Sequence, residues 1–82
     1  MLDKNTDVKT VVALAEKAVS DVLVGEVFTI RDLFRAVEWK RLPMRTRIQV
    51  GSQFFDDFNQ GRIPGIDTYG KTAQRQQQYI RI

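Results

Sequence analysis

Apolar residues recur every three or four positions from Val8 to Val22, whereas the short runs 63–69 and 77–82 read as strand-like, so the pattern changes along the chain. The first pattern, Val8, Val11, Val12, Ala15, Val19 and Val22, predicts a helix capped by Thr6 or Asp7 and running to about Leu23. Its valines are stiff at χ1 and lower the intrinsic propensity, so packing has to hold this helix. Residues 1–6 are polar and are expected to be frayed or disordered. Gly25 ends the segment, and Glu26-Val27-Phe28 reads as a short strand. Thr29 followed by Asp32 has the spacing of a capping box and opens a second helix with Ile30, Leu33, Phe34 and Val37 as its buried stripe. Pro43 disfavours helical geometry at Leu42 and suits the first turn of a third helix. That helix is predicted from about Met44 to Gln60, closed by Gly61 in a left-handed cap. Met44, Ile48, Phe55 and Phe58 lie on one side of it, and Arg45, Gln49, Ser52, Gln53, Asp56 and Asn59 on the opposite, polar side. Gly51 costs roughly 1 kcal/mol in a helix interior, which predicts a close backbone approach to another helix.

After Gly61 two alternating runs, 63–69 and 77–82, flank Gly70-Lys71-Thr72-Ala73-Gln74-Arg75-Gln76, a polar loop with two cations and no anion. This reads as a β-hairpin with a basic tip. The order helix, strand, helix, helix, strand, strand predicts an α+β fold, a small winged helix with the C-terminal hairpin as its wing. Eighty-two residues make one such domain, spanning 1–82, with no repeat or linker in view.

Composition removes several chemistries. With no Cys and no His there is no disulfide framework, no thiolate or imidazole metal ligand, and no Ser–His or Cys–His nucleophile. Asp56 and Asp57 are adjacent on a helix and do not face one another, so they make a poor metal or acid/base pair. The expectation is a non-enzymatic protein without cofactor or metal. No apolar run approaches a membrane span and no signal-peptide pattern opens the chain, which predicts a cytoplasmic protein with no membrane partner.

Charge sharpens the picture. Residues 1–38 carry five cations and seven anions, whereas residues 39–82 carry eight cations and three anions, for an overall net charge of +3. A basic working half beside a neutral-to-acidic supporting half suits a polyanionic partner.

The segment Gly25-Glu26-Val27-Phe28-Thr29-Ile30-Arg31-Asp32-Leu33-Phe34 with Glu38-Trp39 resembles a family of small proteins of unknown function from Gram-positive bacteria and their mobile elements. The resemblance continues through Arg47-Ile48-Gln49-Val50-Gly51-Ser52-Gln53-Phe54 and through Lys71-Thr72, Arg75-Gln76 and Tyr79, covering about Gly25 to Ile82. It implies a bacterial or phage origin and a looser similarity to winged-helix domains, and it implies no activity.

The third helix occupies the recognition position of a helix-turn-helix unit, which reads the major groove near its N-terminus. Arg45, Arg47 and Gln49 lie there, with side chains suited to guanine and adenine edges. Lys71, Thr72 and Arg75 at the hairpin tip suit phosphate or a minor groove. The competing reading of these cations is a solvated surface, with Arg45 and Arg47 paired to Glu38. Double-stranded DNA is the expected partner, and a homodimer through the valine-rich first helix is the expected way to reach useful affinity. The alternative is a protein-interaction module using Trp39, Phe54 and the polar face of the third helix. A third possibility is single-strand binding, with Tyr69, Tyr79 and Arg81 stacking bases; the competing structural role for the two tyrosines is a cross-strand pair.

Overall fold

The structure, a computed structural model, describes residues 2–82. Three α-helices cover a three-stranded antiparallel sheet: α1 Val8–Ala18, β1 Val27–Phe28, α2 Ala36–Arg41, α3 Met44–Asn59, β2 Ile66–Lys71 and β3 Gln77–Arg81. The strands lie in the order β1-β3-β2, so the last strand in sequence is the middle one in space. Val27 pairs with Ile80 and Phe28 with Tyr79, while Ile66, Asp67 and Thr68 pair with Arg81, Ile80 and Tyr79. Element order and fold class are those predicted from the sequence.

Local chemistry sets the boundaries. Asp7 caps α1, its Oδ1 accepting from the Thr10 amide at 2.9 Å. The helix gives way at Ala18 to one 3-10 turn, Val19–Asp21, earlier than the predicted end at Leu23. Gly61, at φ 75°, closes α3 in a Schellman motif: its amide donates to the Phe58 carbonyl and the Arg62 amide to that of Asp57.

The second predicted helix divides. Ile30–Leu33 forms a 3-10 turn, with the Asp32 carboxylate accepting from the Thr29 amide at 2.8 Å as the box requires. Phe34 and Arg35 are then extended before α2 begins. Val37 consequently points to solvent and not into the predicted stripe. Trp39, half-buried, stacks on Phe34 with ring centroids 5.4 Å apart.

The core joins α1, α3 and the sheet. Val11, Val12 and Ala15 pack from α1, Val19 from the turn after it, Val50 and Phe54 from α3, and Phe28, Ile66 and Tyr79 from the strands. Leu2 belongs to this core as well. Its amide donates to Glu38 and its carbonyl accepts from Arg41. The predicted fraying of residue 1 lies outside the described residues. Val11 and Val12 of α1, and Val19 in the turn after it, are buried inside the monomer.

The inward face of α3 differs from the predicted one. Val50, Phe54 and Asp57 are buried, whereas Met44 and Ile48 are 63% and 64% exposed and Phe55 is 38% exposed. The polar side falls where it was placed, with all six of its residues exposed. Gly51 has no crowded neighbour either: a Cβ built there meets nothing within 4 Å. Gly51→Ala is therefore expected to stabilise dilute protein by about 1 kcal/mol, or ~4–8 °C in a thermal melt of a domain this size.

Candidate nucleic-acid interface

Two elements carry the cations predicted to act, and each is built under local tension. The first is the start of α3. Pro43 stands at the N-cap, one residue before the predicted helical position, and offers no side-chain acceptor; the first turn holds no acidic residue. Arg45 and Arg47 instead oppose the positive end of the helix dipole, an arrangement that costs stability and draws anions. Arg45 and Gln49 are exposed. Arg47 is not free: its Nε donates to the Leu42 carbonyl at 3.0 Å, tying the end of α2 to the start of α3. Neither arginine pairs with Glu38, whose carboxylate accepts from Leu2.

The second element is the hairpin tip. The Thr72 amide donates to the Gln76 carbonyl at 2.9 Å, and the Gln76 amide returns to Thr72 Oγ1 at 3.1 Å. The Arg75 amide donates to the Thr72 carbonyl, closing a tight turn over Ala73 and Gln74. Arg75 completes this three-residue connection at φ 66°, in the left-handed region that such loops normally give to glycine. Thr72 is thus a fastening residue with its hydroxyl already engaged, while Lys71 and Arg75 project into solvent. Below the tip the ladder slips between Thr68 and Lys71, so that Tyr69 and Gly70 oppose Gln78 alone. Gln77 Nε2 donates to the Gly70 carbonyl freed there, at 2.9 Å. A bulge of this kind bends the strand and adds twist below the tip.

The two clusters are anchored by opposite ends of their elements. Phe54 and Phe58, in the C-terminal half of α3, meet Tyr79 at 5.1 and 5.8 Å between ring centroids. Arg45 lies nine residues, ~14 Å of helix, from Phe54. Arg75 lies four residues beyond Tyr79, ~13 Å of extended chain.

The aromatic sites change character. Tyr79 is fully buried between Phe28, Phe54 and Phe58 and faces Thr68, so it neither stacks on Tyr69 nor offers a ring to a base. Phe54 is buried too and leaves the predicted protein-contact surface. Tyr69 remains exposed; Arg81 is half-buried, its Nη1 donating to the Gly65 carbonyl at 2.7 Å.

Sequence reasoning missed one cluster. Asp57, buried on α3, accepts from Gln53 Nε2 at 2.9 Å and from Arg62 Nη1 at 3.2 Å, and the Glu16 carboxyl of α1 lies within hydrogen-bonding reach. Forty-one positions separate Glu16 from Asp57, so no local pattern announced the pair. Elsewhere a shallow depression of about 370 Å³ between the end of α1 and β1 is lined in part by Asp21, Glu26 and Asp32. Glu26 and Asp32 are occupied there, accepting from the amides of Leu23 and Thr29. Among the described residues no group of three potential ligands converges on a metal position, and no helix is long and apolar enough to cross a membrane.

No curated protein and no solved structure matches the chain. The model of one family, Domain of unknown function (DUF1413), matches residues 13–81, from the middle of α1 to the last residue of β3, and the chain belongs to that family.

Proposed function

We propose that this domain is a small, non-enzymatic DNA-binding accessory or regulatory protein, a winged helix working in the cytoplasm of a bacterium or for a phage or mobile element. Duplex DNA is the ligand, held by Arg45 and Gln49 on α3 and by Lys71 and Arg75 on the hairpin, with Arg47 and Thr72 as positioning residues. The element order and the β1-β3-β2 sheet support the winged-helix reading. The observation that carries the functional reading is Arg75 at φ 66°. A cation kept where glycine would be less strained is stability given up at the tip of an exposed hairpin, as functional positions often do.

The test follows from that trade. Arg75→Gly is expected to raise the melting temperature, gaining about 1 kcal/mol from relief of the left-handed backbone, while weakening duplex binding. Lys71→Glu should weaken binding without the gain. Fluorescence anisotropy on a random-sequence duplex, at about 50 and 200 mM salt, should show affinity falling steeply with salt in wild type and less steeply in both variants. Absence of binding to duplex and single strand alike at the lower salt ends the DNA reading. A preference for single strands that disappears in Tyr69→Ala would replace it with base stacking.

A protein-interaction role is favoured by one observation, the solvent-facing Met44, Ile48 and Phe55 on α3. Large apolar side chains in a line mark a contact surface more readily than a groove-reading one.

A further inference from the structure

Met44, Ile48, Gly51 and Phe55 follow one another at steps of four, three and four, which sets them in a single line along α3. This line lies beside the buried one of Val50, Phe54 and Asp57; Met44 and Ile48 on it are mostly exposed and Phe55, beside Phe58, partly so. Gly51, near its middle, leaves a notch open to solvent. A glycine there weakens the helix with no compensating close approach inside the chain.

We propose that two copies of this chain pair through α3, antiparallel about a two-fold axis near Val50, with Ile48 of each copy seated in the Gly51 notch of the other. The residue spacing is self-complementary. Met44 and Phe55 are equidistant from the midpoint between Ile48 and Gly51, so the same operation that sets Ile48 on Gly51 sets Met44 against Phe55 at both ends. Each contact therefore occurs twice, as an isologous interface requires. The contact line from Met44 to Phe55 spans eleven residue steps, ~16 Å.

Charge placement selects the antiparallel arrangement. Arg45 and Asp56, both exposed, stand at opposite ends of one flank of the line. A two-fold axis across the helices brings equal flanks together on the same side, so each Arg45 meets Asp56 of the other copy. A parallel pairing would carry the two like flanks to opposite sides of the seam and leave Arg45 and Asp56 of both copies unmatched. Such rim pairs fix orientation more than affinity. The pairing does not rest on the DNA reading: it competes with that reading for Arg45 and leaves Lys71 and Arg75 untouched.

Sedimentation equilibrium of the full chain without nucleic acid, from low micromolar to near-millimolar concentration, tests it. Wild type should show a monomer–dimer equilibrium, and Ile48→Asp should raise the dissociation constant at least about tenfold. The circular dichroism and thermal melt of dilute Ile48→Asp should match wild type, because the side chain is solvent-facing in the monomer. Arg45→Asp should weaken the dimer, and Arg45→Asp combined with Asp56→Arg should restore it. A chain that stays monomeric to near-millimolar concentration overturns the proposal and leaves the line to a different protein. A dimer indifferent to Ile48→Asp and to the charge exchange also overturns it, since association would then use another face.

Discussion

Tyr79→Ala is expected to remove between a quarter and all of the stability of this domain, whereas Tyr79→Phe is expected to hold or raise it. Tyr79 sits in the middle of the central strand with 0% exposure, and three aromatic rings pack on it within 5.8 Å between centroids. Truncating so large a buried ring costs about 3–5 kcal/mol in lost contacts and cavity. A domain of this length has only about 4–12 kcal/mol in total. The hydroxyl argues in the opposite direction. It is buried without a hydrogen-bond partner, and burial pushes its pKa up to about 12. An unsatisfied buried polar group costs about 1–3 kcal/mol, so removing the oxygen while keeping the ring returns some of that. Urea and thermal melts of the two variants check both signs. A clear loss of stability in Tyr79→Phe would count against the unpartnered hydroxyl.

Raising the pH from about 5 to about 8 is expected to lower the melting temperature, and Glu16→Gln is expected to flatten that slope. Burial, then the hydrogen bond and negative charge of Asp57, push the Glu16 carboxyl up to about 7, with Arg62 acting against them. Asp57 is held below its ordinary value chiefly by the hydrogen bond from Glu16, reinforced by Gln53 and Arg62 and opposed by burial. Protonated Glu16 on α1 therefore donates to ionised Asp57 on α3. The folded-state pKa of Glu16 is raised above its unfolded value of 4.5, so the folded chain binds the extra proton. That stabilisation is fully present below 4.5 and is lost as the pH climbs through about 7. The depressed Asp57 contributes stability that is present above its unfolded value of 3.8 and lost in stronger acid. The fold should accordingly be firmest in mildly acidic solution. Gln at position 16 keeps a donor for Asp57 without titrating, so it should melt higher than wild type at the alkaline end. An unchanged slope in Glu16→Gln would place the titrating group elsewhere.

What could be read before the structure were features with short-range causes. The α1 spacing, the Gly61 cap and the hairpin around the Gly70 loop each depend on residues a few positions apart, and each is present. The inward face of α3 was not readable, because the helix carries two apolar lines and periodicity does not rank them. Burial chose the line containing Asp57, whose carboxylate reads as surface until Gln53, Arg62 and Glu16 are seen around it. The Tyr69–Tyr79 pairing failed for a related reason. Only the three-dimensional register sets Tyr79 opposite Thr68, and the bulge above it places Tyr69 and Gly70 against Gln78. At the candidate site the residue types at the hairpin tip were legible, but the left-handed backbone of Arg75 was not, since no glycine, asparagine or aspartate marks it. The same limit hid the engagement of Arg47 with Leu42, a contact made by the connection between two helices and by no motif.

The middle strand of the sheet is the last one made. β1 hydrogen-bonds to β3 on one side, so Val27 and Phe28 have no strand neighbour until residues 79 and 80 have been synthesised. On the ribosome the helices can collapse early, but the sheet has to wait until residues 77–81 have left the exit tunnel. A nascent chain stalled before Gln77 would present Phe28, Phe54 and Ile66 without the ring that joins them, and would be a ready target for chaperones or proteases.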